Sequence, residues 1–249
     1  MVKETGFLLI NLLIISFVFV FRFYLDKSDD PVSKQEENHA PVVKIVFPKD
    51  NSFFEPNTTV RYKITVSDKE DGESRFGEIN PKEVFMQIKY VSDTTQWRKF
   101  TQIIEKDPPG FAAIRTSNCM NCHAFKSKLI GPSFYEINKR YQHSKSQTDS
   151  LATHIIQGSS GIWGTAKMPA NNDLGAQQAK EIVDWIFNTA GKENLNYYAG
   201  TEGAVRLQKP NESEKNGAFI LTASYTDHGV KNNRQQSEKG QDQVIMNLK

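Results

Sequence analysis

Cys119-Met120-Asn121-Cys122-His123 contains the only two cysteines of the chain. A C-x-x-C-H run reads as a site of covalent haem attachment. Two thiols three residues apart, at the end of a short helix, can each add to one vinyl group on a haem edge. His123 then sits where the proximal nitrogen of the iron is needed. From the run alone, three other readings stay open: chance, half of a zinc site and a redox dithiol. Half of a zinc site would want two more Cys or His ligands at matching spacing, and there is no second cysteine pair. A redox dithiol would want a βαβ setting, which the surrounding pattern does not offer.

Residues 105–191 read as one helical unit. Asp107-Pro108-Pro109-Gly110 opens a short helix predicted to run through Phe111, Ile114 and Arg115 to the cysteines, with proline in its first turn. Further helices are predicted from Phe134 to about Tyr141, from Ser150 to Gln157, and from Ala176 to Thr189. The last carries Ala179, Ile182, Val183, Ile186 and Phe187 on one broad face and ends at Gly191. Met168, in Lys167-Met168-Pro169, is the candidate for a second axial ligand, because a thioether is a soft, neutral donor. Met1, Met86, Met120 and Met246 are worse placed. A core residue at a loop end is the other reading of Met168.

With these residues in view, 105–191 resembles a small class I bacterial cytochrome c of the c-551/c-552 type. The matching pieces are Cys119, Cys122, His123, Gly131-Pro132-Ser133-Phe134, Gly161-Ile162-Trp163-Gly164, Met168-Pro169 and the final helix with Trp185. The resemblance implies one haem c, thioether bonds at Cys119 and Cys122, and axial ligation by His123 and Met168. It also implies that the Pro132 carbonyl accepts the Nδ1–H of His123 and that Trp163 lies beside a haem propionate. Trp185 is expected to pack the last helix on the first. His143 and His154 read as exposed helix residues. With both axial positions filled, the iron has no open site, so the expected role is that of an electron carrier and not an enzyme. Lys126, Lys128 and Lys167 are expected to flank the haem edge and could steer an acidic partner. The segment 105–198 holds ten Lys/Arg and eight Asp/Glu, so it predicts no strong field.

The flanks alternate with period two. Strands are predicted at 42–47, 59–66 and 84–91, and again at 203–207, 218–225 and 244–248. Ala40-Pro41, Val66-Ser67-Asp68 and the run from Gly217 to Gly229 resemble bacterial Ig-like and PKD-like domains. The expected fold class is therefore α + β and multidomain. A small all-α cytochrome c domain (105–198) is inserted in, or flanked by, an Ig-like β-sandwich (41–104 and 199–249). The polar stretch 231–243 reads as a mobile loop. Asp68, Glu70 and Asp71 are a candidate calcium site, since alternating carboxylates suit a hard cation.

Gly6 to Phe21 is uncharged and apolar, which predicts a signal peptide or membrane anchor over 1–25, followed by a polar linker over 26–40. Phe21-Arg22-Phe23-Tyr24 is too bulky for a small-residue cleavage site, which favours an anchor. Haem attachment places the bulk of the chain on the periplasmic side of a bacterial inner membrane. The expected partners are redox proteins: a periplasmic dehydrogenase, a respiratory oxidase or another cytochrome. Two alternatives are a haem sensor or peroxidase-like enzyme with a labile Met168 bond, and a surface- or carbohydrate-binding protein with an accessory haem domain. A formal net charge of +2 with 24% charged residues gives no case for nucleic acid.

Overall fold

Along Thr59–Asp68 and Phe85–Val91 every second side chain is buried, as a strand with one face in a core requires. The structure, a computed structural model, describes residues 37–55, 57–92, 104–211 and 217–249. The proposed anchor and most of the linker lie outside these residues. Among the described residues no helix is long and apolar enough to cross a membrane.

The strands are β1 (Val42–Phe47), β2 (Ser52–Phe54), β3 (Thr59–Asp68), β4 (Gly72–Glu73), β5 (Phe85–Val91), β6 (Leu195–Ala199), β7 (Glu202–Arg206), β8 (Ala218–Thr226) and β9 (Lys239–Leu248). One sheet is built on β3, which pairs antiparallel with β1, β4 and β7. The other runs β2-β9-β8-β5-β6, antiparallel except for the parallel β2–β9 pair. Strands that precede the helical segment thus pair with strands that follow it: Tyr62 lies opposite Gly203, and Phe85 lies between Ser224 and Ala199. Ile64, Val66 and Val205 of the first sheet share a core with Met86, Ile88, Leu221 and Val244 of the second.

Between β5 and β6 the described residues form five helices: α1 (Pro109–Arg115), α2 (Cys119–Cys122), α3 (Phe134–Arg140), α4 (Lys145–Gln157) and α5 (Ala176–Thr189). Phe111, Arg115 and Trp185 pack against the second sheet at Phe85, Tyr197 and Ser224, and β8 is buried at eight consecutive positions. Phe111 of α1 stacks on Trp185 of α5 at 5.0 Å, so Trp185 does join the last helix to the first. Both rings also meet Tyr197 of β6, and Phe85 of β5 meets Phe111. Beside them Arg115 is buried. Its Nε donates to Asp107 at 2.8 Å, Nη1 to the carbonyls of Glu83 and Ser224, and Nη2 to Ser224 Oγ. Lys239 Nζ reaches the other Asp107 oxygen at 2.7 Å. Burial alone would raise the Asp107 pKa, but Arg115 and Lys239 outweigh it and hold the carboxyl below its ordinary range.

Several expectations need correction. The first helix is not continuous to the cysteines: Thr116 and Ser117 turn their hydroxyls back onto the carbonyls of Ala112, Ala113 and Ile114, which competes with helix propagation. The third predicted helix starts earlier, at Lys145, because Ser144 caps it through Gln147 N–H. Leu195–Ala199, placed with the helical segment, pairs with β5 as a strand. The polar run before 244 is not simply a loop. Lys239 to Gln243 already belong to β9, opposite Thr222 to Thr226.

Candidate haem site

The site is built on one helical turn. The N–H of His123 donates to the Cys119 carbonyl at 3.0 Å, closing α2 with the two cysteines at its first and last positions and the imidazole directly after them. The Cys122 carbonyl then accepts from Ile130 and Gly131, at 3.1 and 2.8 Å, folding the loop back over the histidine. That return brings the Pro132 carbonyl to 2.6 Å from His123 Nδ1. A carbonyl can only accept, so Nδ1 carries the proton and Nε2 keeps its lone pair. Phe134 stacks on the ring at 5.7 Å. On Gly131 a Cβ would come within 2.6 Å of His123 Cε1, so only glycine lets the loop pass this close. Burial pushes the His123 pKa below its ordinary value although the Pro132 hydrogen bond works the other way, which favours the neutral, metal-ligating form. Burial likewise pushes the Cys119 thiol up, and the Ser117 hydroxyl, at 3.0 Å from its sulfur, partly offsets this.

Met168 is held by its backbone. Its N–H donates to Ser159 O at 2.8 Å, and Ser159 N–H donates back to Met168 O at 3.0 Å. Gly158, in the left-handed region at φ +80°, makes room for this bridge; a Cβ there would meet the Met168 carbonyl at 2.7 Å. Asn171 donates its side-chain amide to the carbonyls of Ile155 and Pro169, tying the methionine loop to the end of α4.

One cavity gathers Cys119, Cys122, His123, Pro132, Trp163 and Met168. The rest of its wall is mainly apolar, with Phe134 and Ile137 from α3, Leu151 and Ile155 from α4, and Ile182, Val183 and Ile186 from α5. These residues fit a haem. The slot is mainly apolar, two cysteines line it, and an imidazole and a thioether supply the nitrogen and sulfur donors that haem iron takes.

Three features escaped the sequence reading. Arg140 lies over the Trp163 ring at 4.4 Å and donates to the Ile162 carbonyl, while Tyr141 meets the same ring edge-on. The Trp163 indole is thus framed by a cation and a phenol. His154, read as exposed, is half-buried and lines the cavity, whereas His143 stacks on Phe187 at 4.3 Å. Leu129 and Ile130 are exposed (53% and 58%), and Ile130 also lines the cavity. Two adjacent apolar residues in a polar loop, Lys128-Leu129-Ile130-Gly131, were the available signal.

The three lysines do not act together. Lys167 lines the cavity and Lys128 is exposed, but Lys126 turns away and donates to the Glu193 carbonyl at 2.6 Å. The calcium expectation is also corrected. Asp68 Oδ1 accepts the N–H groups of Glu70 and Asp71, Glu70 pairs with His39, and Asp71 accepts from the Tyr225 hydroxyl and His228 N–H. These carboxylates are engaged in different directions, and among the described residues no group of three or more His, Cys, Asp or Glu could hold a metal.

Residues 109–190 match the family model described as cytochrome c. Cytochrome c-552 of Hydrogenobacter thermophilus is 38% identical over 74 residues, which cover 30% of this chain and 74% of that protein. Cytochrome c-551 of Azotobacter vinelandii is 40% identical over 72 residues, covering 29% of this chain and 87% of the relative. Among solved structures, the crystal structure of wild-type cytochrome c552 from Nitrosomonas europaea is 33% identical. It covers 31% of this chain and 96% of that one, with a TM-score of 0.30. All nine described strands lie outside the matched segment.

Proposed function

The chain belongs to the cytochrome c family through residues 109–190, and from that premise we propose that it is a monohaem electron carrier on the exported, periplasmic side of a bacterial inner membrane. Cys119 and Cys122 would bind the haem covalently, and His123 and Met168 would ligate its iron. When bound, the haem supplies a one-electron couple between ferrous and ferric iron. The chain's own residues do the rest. The Pro132 carbonyl fixes the His123 tautomer and ring plane, so that Nε2 is the free donor. The Ser159–Met168 bridge holds the thioether loop, and a neutral thioether favours the ferrous state over a second imidazole. The aliphatic walls from α3, α4 and α5 would keep water from a bound haem.

The observation that carries this reading is the convergence of both cysteines, His123 and Met168 on one apolar cavity. Leu129 and Ile130, exposed beside that cavity with Lys128 next to them, are the natural contact for a redox partner such as a periplasmic dehydrogenase or a respiratory acceptor. The strands on either side of the helical segment act as one host sandwich, with the cytochrome as an inserted guest whose free face is the haem edge. The N-terminal apolar run would tether this body to the membrane.

Spectroscopy on protein matured with haem tests the assignment. The wild type should be low-spin, and its ferric form should show the far-red charge-transfer band of a methionine–iron bond. Met168→Ala should lose that band and bind exogenous imidazole. A wild type already high-spin and reactive with peroxide would instead support the sensor or peroxidase-like alternative.

A further inference from the structure

The widest cleft bordered by the described residues is not the haem cavity. It lies on the other side of the His123 loop, between the edges of the two sheets. Gly203 and Ala204 of β7 form one wall, residues 196–199 of β6 form another, and residues 124–127 with Leu129 of the haem loop close the third. The cleft is a strip rather than a point, since β6 is five residues long, about 17 Å at the rise of a strand.

Four observations define what this cleft would hold. Its charge is unequal: Lys82, Lys126, Arg206 and Lys209 line it against Glu193 and Glu202. Lys126 donates to the Glu193 carbonyl at 2.6 Å, and a carbonyl is a neutral acceptor that leaves the ammonium charge in place. Lys82 and Arg206 are exposed. The cations are also spread along the strip. Lys126 is bound just before β6 begins, and Lys82 lies toward its other end, where the N–H of Gly200 donates to the Val84 carbonyl at 2.8 Å. Between the charges stands an apolar group, Leu129, which is 53% exposed and borders the cleft. Finally, β6 is the edge strand of its sheet, but the Asn196 side chain takes the outward N–H of Tyr197 at 2.9 Å. Recognition here therefore falls to side chains and not to strand addition.

We propose that this cleft docks an acidic, extended segment of a partner protein. Carboxylates spaced along that segment would meet Lys126, Arg206 and Lys82, and an apolar side chain between them would rest on Leu129. Cations set a strand's length apart suit several carboxylates on one chain better than one small anion. Glu193 and Glu202 stand in the walls, and like charge there penalises an unbroken run of phosphates such as a nucleic acid. A peptide can place its acidic residues opposite the cations alone, so the mixed walls select it. Of the residues expected to hold the haem, only His123 borders the cleft, and the docking does not depend on the chain carrying electrons.

The test is isothermal titration of the haem-loaded full chain, at low salt, with an amidated hexapeptide of glutamates around one leucine, with hexathymidylate and with inorganic phosphate. The peptide should bind with a dissociation constant of about a millimolar or lower, and more weakly as salt is raised. Lys126→Gln and Arg206→Gln should each weaken that binding roughly three- to tenfold, the loss of one charge-assisted hydrogen bond. Glu202→Gln should tighten it about twofold by removing a like charge. Lys44→Gln, which takes an exposed cation from β1, should leave it unchanged. Thermal melts and the haem spectrum establish that the variants fold and carry cofactor. Arg206 and Glu202 are exposed, so their variants carry the test if Lys126→Gln disturbs the loop. Absence of peptide binding overturns the proposal. So does binding that Arg206→Gln leaves unchanged, an equal loss with Lys44→Gln, a loss with Lys167→Gln that puts the peptide at the haem cavity, or binding of hexathymidylate or phosphate as tight as that of the peptide.

Discussion

The helical segment has two walls of different material. Toward the cavity it offers Ile137, Leu151, Ile155, Ile182 and Ile186 around an imidazole and a thioether. Toward the sheet it offers stacked aromatics and a buried guanidinium with four hydrogen bonds to three residues. Apolar packing is non-directional and accepts any group of the right shape. An arginine fork bound on several sides accepts one geometry only. The first wall therefore suits a flat apolar group, while the second fixes how the helical segment sits on the second sheet. The two walls should fail separately.

Loss of both thiols is the most severe test of that separation. The Cys119→Ala/Cys122→Ala double variant should carry no covalent haem, read as absent haem staining on a denaturing gel. The two sheets should survive, read as far-UV circular dichroism with retained β signal. If the strands melt together with the haem site, the walls are one cooperative unit and the comparison fails.

Arg115→Met strikes the opposite wall. It leaves Asp107 buried with only Lys239 to pair it, and breaking such a buried pair costs about 3–5 kcal/mol. Denaturant unfolding should show a loss of that order, while the haem spectrum of the folded fraction stays as in wild type. Adding Asp107→Leu should recover part of the loss, because an apolar pair of similar volume needs no counter-charge. A double variant no better than the single one would mean that the guanidinium acts through Phe85, Phe111 and Ser224 rather than through Asp107.

The two walls were not equally legible in the sequence. The haem wall was, because its chemistry is written in short runs: the cysteines, Gly131-Pro132, and Met168 at the end of its loop. The period-two strands 59–66 and 84–91 were legible for the same reason, since alternation is local. The sheet wall joins Glu83, Asp107, Arg115, Ser224 and Lys239, which lie far apart along the chain, and nothing local marks Arg115 as buried rather than as an ordinary helix-end cation. Strand β6 was missed because Leu195-Asn196-Tyr197-Tyr198-Ala199 carries polar and aromatic residues on both faces. Tyr197 and Ala199 pack on the helical core and Tyr198 on the core between the sheets, so no clean alternation appears. His154 was missed because one histidine on a helix gives no clue to the face it occupies.

Between the walls stands the loop that carries His123, and Gly131 measures its tolerance. Gly131→Ala would drive a methyl group into the imidazole edge, an overpacking cost of about 1–3 kcal/mol. Relief by tilting the ring would lengthen the bond to the Pro132 carbonyl, making His123 a weaker donor. The midpoint potential should rise, as measured by spectroelectrochemical titration, while the Arg115 seam is untouched. An unchanged potential with lowered stability would mean that the loop, not the ring, absorbs the methyl.

The smallest expected effect separates the two ends of the seam by pH. His228 has a carboxylate at each ring nitrogen, Glu83 at 2.8 Å from Nε2 and Asp71 at 3.1 Å from Nδ1. The hydrogen bond to Glu83 raises its pKa above the ordinary value, against burial and the Arg234 charge, with Asp71 adding to the rise. A folded-state pKa above the unfolded one stabilises fully below about 6.5, and that contribution is lost as pH climbs through the raised value. Asp107 runs the other way: its folded pKa is lowered, so its contribution is present above the ordinary carboxylate range and fades on acidification. His228→Gln should therefore cost on the order of 1 kcal/mol in mildly acidic solution and little in alkaline solution, since the ring is partly solvated. Measured across pH, the stability gap between wild type and His228→Gln should close on the alkaline side, while the gap for Arg115→Met should close on the acid side. Glu83 links the two, its carboxylate holding His228 and its carbonyl holding Arg115. Parallel profiles for both variants would mean that this residue merges the two ends into a single titrating network.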